Sequence, residues 1–151
     1  VIRSFSGVDR EVAVLEDMGL DPAHVAVVHS GMDAVTNQGG TGARSRIDVE
    51  GFDMAGKTGT AQVRKLTAAL RGRNSDSIPW KFRDHGLFVA FGPVKEPRYA
   101  ISVIVEHGGG GSKAAAPIAK EVMTVVAQRD PARKKYFVPP ARTAQGLVTK
   151  A

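Results

Sequence analysis

Gly51-Phe52-Asp53-Met54-Ala55-Gly56-Lys57-Thr58-Gly59-Thr60-Ala61-Gln62-Val63 decides the fold, because its centre fits two incompatible readings. Gly51 to Thr58 matches GxxxxGK[ST], the pattern of a phosphate-binding loop. Such a loop works when small residues let backbone N–H groups wrap a phosphate. It also needs a helix starting directly at the Lys-Ser/Thr pair, with its positive dipole end toward the anion. Here the wrapping positions hold Phe52, Asp53 and Met54, one of them anionic, and Gly59 follows Thr58 where a helix should gain strength. Ile101 to Glu106, an apolar strand ending in an acid, could stand in for a magnesium-binding strand, so a nucleotide-binding protein is kept as one alternative. Lys57 to Val63, rich in threonine and small residues, reads better as a strand.

Working outward, Asp21-Pro22 offers an N-cap followed by proline at the first helical position, and Val25, Val28, Met32 and Val35 recur at helical spacing. A helix is expected from about Pro22 to Asn37, stopped by Gln38-Gly39-Gly40-Thr41-Gly42. Upstream, the signal is weak and suggests a strand or hairpin around Glu11 to Leu15. Downstream, Arg64 to Arg83 reads as a basic loop with one helical turn. Gly86 to Phe91 and Arg98 to Glu106 read as strands joined by a hairpin connection at Pro93 to Pro97. After Gly108 to Gly111, Ser112 is expected to begin a second helix, with Pro117 in its first turn and Ile118, Val122, Val125 and Val126 as its buried stripe. Pro131 marks the latest point at which it can end. Hairpin-linked strands between helices, in place of βαβ alternation, make this an α+β chain with an antiparallel sheet.

The 151 residues suffice for one core, and the apolar share is ordinary. The chain opens at Val1 and is expected to be a segment of a longer protein or a processed product. No apolar run approaches the roughly 18 residues that span a bilayer, so a soluble piece is expected, with any export signal or anchor lying upstream. There is no cysteine, hence no disulfide framework and no thiolate metal site. The net charge of +6 invites a nucleic-acid reading. Residues 129–151, however, hold six basic side chains against Asp130 alone, whereas the other 128 residues carry 15 basic and 14 acidic groups. The expected division is therefore a nearly neutral folded part, 1–128, and a basic disordered tail, 129–151. A non-catalytic interaction module using that tail is the second alternative.

Lys57-Thr58-Gly59-Thr60 is also the K-T-G element that serine transpeptidases and β-lactamases carry beside S-x-x-K and S-D-N. Its flanks are more specific than the triplet: Met54-Ala55-Gly56 before it and Ala61-Gln62-Val63 after it. Farther on come Arg83-Asp84-His85-Gly86-Leu87-Phe88-Val89-Ala90-Phe91, Pro97-Arg98-Tyr99-Ala100 and Val105-Glu106-His107-Gly108-Gly109. With Val27-Val28-His29-Ser30-Gly31-Met32, these resemble the end of the transpeptidase domain of class B penicillin-binding proteins, most closely the elongation-type penicillin-binding protein 2 group. The similarity runs from about Asp21 to Gln128. It implies the C-terminal portion of a β-lactamase/transpeptidase-like fold. The implied parent is a peptidoglycan D,D-transpeptidase at the periplasmic face of the inner membrane, acting in cell elongation and cell shape and targeted by β-lactams. Implied partners are stem peptides, β-lactams, the upstream part of the same protein, a membrane glycosyltransferase and elongation-complex proteins. No nucleic acid, cofactor or metal is implied.

Residue by residue, an edge strand can take up a peptide as a further strand, and Gly59 removes a side chain where that peptide must approach closely. Thr58 and Thr60, two apart, share one face and can both hydrogen-bond a substrate carboxylate. By the resemblance, Gln62 joins Lys57, Thr58, Gly59 and Thr60 in the substrate-binding set. Lys57 and Thr60 carry the catalytic role, the Thr60 N–H holding the developing oxyanion. No nucleophile is found: none of Ser4, Ser6, Ser30, Ser45, Ser75, Ser77, Ser102 and Ser112 has lysine three residues later, the spacing that brings amine to hydroxyl within one helical turn. No serine or tyrosine is followed two residues on by asparagine either. His85 and His107 are read as structural, Gly108 to Gly111 as a turn and not an anion cradle, and Trp80 as packed onto the sheet.

Overall fold

The helix boundaries are written into the local chemistry of the chain, and the computed structural model reproduces them: α1 spans Pro22–Asn37. The Asp21 carboxylate accepts the Ala23 N–H at 2.8 Å, and proline occupies a first-turn position where no N–H is needed. The structure describes residues 4–5, 8–9, 17–63 and 77–132. Ser4–Phe5 (β1) and Val8–Asp9 (β2) form a short antiparallel ladder. The expected lead-in at Glu11 to Leu15, most of the basic loop after Val63 and the tail beyond Ala132 fall outside the described residues.

The main sheet has three antiparallel strands in the order β3 (Ala55–Ala61), β4 (His85–Gly92) and β5 (Tyr99–Val105). The fold is therefore α+β. The β4–β5 hairpin turns through Pro93 to Pro97, closed by Arg98 N–H donating to Gly92 O at 3.1 Å. The register pairs Thr58 with Phe88 and Val103, and Gly56 with Ala90 and Ile101. Those residues share the face covered by α2 (Gly111–Arg129), where Phe88 and Ala90 join Ile47, Phe52, Met54 and the α2 residues Ala115, Ala116, Ala119, Met123 and Ala127 in one core. A side chain at Gly56 would overlap the Phe88 ring, so this glycine is fixed by packing. On the other face, His29 of α1 lies against Phe91 with ring centroids 4.4 Å apart, and α1 runs beside β3.

Two expectations about α2 are corrected. It starts at Gly111 behind an N-cap at Gly110, which puts Pro117 in the second turn. Its buried face is the alanine-rich one, while Ile118, Val122 and Val125 are nearly half exposed. The reason is distance at the start of the helix: a Cβ on Gly111 would already overlap carbonyl oxygens of the sheet, so small side chains line most of the seam, with Met123 buried farther along, and Ile118, Val122 and Val125 are left on the outer side. Along α1, Val28 of the expected stripe is likewise exposed, beside Val27. Trp80, expected on the sheet, is 62% exposed and forms a T-shaped pair with the His107 ring, centroids 4.6 Å apart.

The fold reaches past Gln128. Asp130, just beyond α2, is buried and tied to β5 by an ion pair with Arg98 and by the Tyr99 hydroxyl at 3.2 Å, and it accepts the Ala132 N–H at 2.9 Å. Burial pushes the Asp130 carboxyl up, but hydrogen bonds from Arg98, Ala132 and Tyr99 outweigh it and hold the group below its ordinary 3.8. A depressed carboxylate stabilises the fold fully above its unfolded value, and that contribution disappears as the pH falls through the lower folded value. Asp130→Asn is thus expected to lower the thermal midpoint at neutral pH, with the gap to the wild-type protein closing below about pH 4. Melting curves from pH 7 to pH 2.5 check it.

Candidate active site

Exposure rises along β3 from its buried start at Ala55 and Gly56 to its open end at Thr60 and Ala61. The buried end is held by α1, whose Asn37 amide donates to Met54 O at 3.1 Å. The open end is fastened to β4 by Val63 N–H donating to the Asp84 carboxylate at 3.2 Å. Since β3 has a partner on one side only among the described residues, its other edge leaves backbone donors and acceptors available to an incoming strand.

The sequence-predicted residues therefore lie in line. Lys57 is exposed, with its ammonium donating to Thr58 O at 2.7 Å. Thr58 and Thr60 share a face, as expected; Thr60 is exposed, whereas Thr58 is half-buried. Gln62 follows the end of β3 and is exposed. Beneath this stretch the backbone of Gly59 carries the first residue of α2: a side chain on Gly111 would overlap the carbonyl oxygens of both Gly59 and Leu87. A Cβ on Gly59 itself would stand an ordinary 3.4 Å from Leu87 Cβ, so the fold does not require glycine there.

One neighbour was missed by sequence reasoning. Thr41, read only as part of a helix stop, places its hydroxyl 3.0 Å from the Thr58 hydroxyl. A polar residue inside the run Gly39-Gly40-Thr41-Gly42 was the available signal. The histidines are tied to backbone: His107 N–H donates to His85 Nδ1 at 2.9 Å, and His107 Nδ1 lies 2.9 Å from Arg83 O. His107 has φ of 55°, a left-handed conformation where β5 turns toward Gly109, whose N–H donates to Asp84 O at 2.9 Å.

The phosphate-loop alternative fails on geometry. Lys57 and Thr58 sit inside a strand with no helix beginning at them, and Phe52 and Met54 are core side chains. Among the described residues no cluster of three or more histidine and carboxylate side chains could hold a metal ion.

Comparison with known proteins agrees with that architecture. The penicillin binding protein transpeptidase domain matches residues 4–124. The chain is 40% identical over 111 residues to the peptidoglycan D,D-transpeptidase MrdA of Haemophilus influenzae, covering 72% of this chain and 17% of the relative. It is 36% identical over 103 residues to MrdA of Acinetobacter baumannii, covering 66% and 15%. Among solved structures, the complex between penicillin-binding protein 2 and MreC from Helicobacter pylori superposes with a TM-score of 0.59 at 29% identity, over 72% of this chain and 18% of that one. Penicillin-binding protein 2 of Pseudomonas aeruginosa, in complex with WCK 5153, gives 0.51 at 33% identity, over 83% and 22%. This chain thus spans less than a quarter of each of these proteins. The match over residues 4–124, together with an edge strand bearing Lys57-Thr58-Gly59, shows that the chain belongs to the penicillin-binding protein transpeptidase domain family.

Proposed function

We propose that this chain is the carboxylate-binding and oxyanion side of a serine D,D-transpeptidase that crosslinks peptidoglycan stem peptides and is acylated by β-lactams. The observation that carries the reading is Gly59: a glycine that the fold leaves room to replace, on an open strand edge, between two threonines of one face. A peptide laid along that edge meets backbone donors and acceptors, and its terminal carboxylate comes within reach of the Thr58 and Thr60 hydroxyls and the Lys57 ammonium.

The serine comes from the upstream part of the same protein. Its Oγ attacks the peptide carbonyl while its proton passes to a base; the terminal amine leaves protonated, and an acyl-serine remains for an acceptor amine to take up. The Thr60 N–H stabilises the oxyanion formed in each addition, a donor of a kind worth roughly 10² to 10³ in rate. The complete protein works at the periplasmic face of the inner membrane alongside a glycosyltransferase and elongation-complex proteins; the Helicobacter pylori neighbour was solved in complex with MreC.

The test is fluorescent penicillin labelling. The complete protein is expected to label, Thr60→Ala to label at least several-fold more slowly, and the isolated 151-residue chain not at all. Labelling of the isolated chain, or indifference to Thr60→Ala, would overturn the assignment.

A further inference from the structure

A threonine hydroxyl has one proton to give and lone pairs to accept with, and a carboxylate can only accept. The Thr58 hydroxyl therefore serves an anionic ligand in just one orientation, with its proton outward. Something must hold it so.

Thr41 is placed to do this. It does not belong to the sheet; it sits in the turn after α1, and that turn is anchored on every side. Gly40 N–H donates to Ala34 O at 3.3 Å and Gly42 N–H to Val35 O at 3.0 Å. Ala43 N–H reaches Gly40 O at 3.1 Å and Ser45 N–H reaches Gly42 O at 2.8 Å. Gly40 presses on the end of α1 so closely that a Cβ there would stand 2.5 Å from Val35 Cα, and one at Gly42 would stand 3.2 Å from Val35 Cγ1. A turn packed this tightly delivers its hydroxyl to a fixed point, 3.0 Å from Thr58 Oγ1.

We propose that Thr41 is a positioning residue for anionic ligands: its hydroxyl donates to Thr58 Oγ1, so that the single Thr58 proton points outward to the ligand carboxylate. The proposal rests on reading β3 as the carboxylate-binding strand. Two hydroxyls donating in series polarise one another, and the bond they make to a charged acceptor gains more than one to a neutral acceptor. Thr41 thereby favours a free carboxylate over an ester of the same ligand.

The experiment measures second-order acylation rates of the complete transpeptidase with benzylpenicillin and with its methyl ester. Thr41→Val keeps the shape and removes the hydroxyl; it is expected to slow acylation by the acid roughly three- to tenfold and by the ester distinctly less. Thr41→Ser should restore the acid rate. In a Thr58→Val background, Thr41→Val should add little, the non-additivity expected of two groups acting as one. Equal losses for acid and ester, fully additive losses in the double variant, or a loss that serine does not rescue would each overturn the proposal. If Thr58→Val and Thr60→Ala also leave the acid-to-ester ratio unchanged, the strand reading itself has failed and takes the Thr41 proposal with it. If they change that ratio and Thr41→Val does not, only Thr41 is excluded.

Discussion

Lys57→Ala in the complete protein is expected to slow acylation by a penicillin between tenfold and a hundredfold while hardly moving the thermal midpoint. The two halves of that expectation come from different features of one side chain. Lys57 is exposed, and its ammonium rests on the carbonyl of the next residue, so truncation opens no cavity and strands no buried group; changes of this kind are usually small in stability. Its charge, however, stands at the point where β3 leaves the core and the open edge begins. A charge-assisted hydrogen bond to a carboxylate is roughly twice as strong as a neutral one, and each factor of ten in rate corresponds to one such modest increment. Lys57→Arg should recover the rate only in part, since a planar guanidinium on a different stem cannot return to the place of a compact ammonium. Acylation rates measured beside melting curves separate the outcomes: a lost midpoint would make Lys57 a structural residue, and an unchanged rate would remove it from the site.

Much of the fold was legible because the decisive signals were local. Asp21 and Pro22 begin α1, the glycines after Gln38 end it, and the turn residues at Pro93 to Pro97 join two strands whose alternation is plain. That the residues of the candidate site from Lys57 to Thr60 lie on one short strand was legible for the same reason. What could not be read depends on distance between elements. Periodicity favours large aliphatic residues as the buried stripe, which selected Ile118, Val122 and Val125. The helix instead turns its alanines inward, with Met123 beside them, because its first turn seats directly on the backbone of the sheet. Thr41 and Thr58 meet across 17 positions through a hydroxyl pair that leaves no pattern in the sequence. Asp130, between a helix end and a basic stretch, looked like the start of a tail; only the neighbouring Arg98 and Tyr99 make it part of the core.

That closeness of α2 to the sheet leads to the largest expected change in stability. In an exposed helix Gly→Ala normally stabilises by up to about 1 kcal/mol, because alanine loses less conformational freedom. Gly31, in α1, has open space around a hypothetical Cβ, and Gly31→Ala is expected to follow that rule. Gly111→Ala should do the opposite. Its Cβ would overlap the Leu87 and Gly59 carbonyl oxygens and stand 3.0 Å from Gly59 N. All three are backbone atoms of the sheet, so no rotamer change relieves the conflict and the first turn of α2 must lift away. Overpacking of this kind costs about 1–3 kcal/mol, and the lost contact of Ala115 and Ala116 with the core adds to it. Because the displaced atoms lie directly beneath Gly59, the same substitution should also slow penicillin acylation, coupling a packing defect to the site. The measurement is the thermal midpoint and acylation rate of the complete protein with each variant. A Gly111→Ala protein that melts and reacts like Gly31→Ala would mean that α2 does not seat on β3, and the small-residue account of that interface would be wrong.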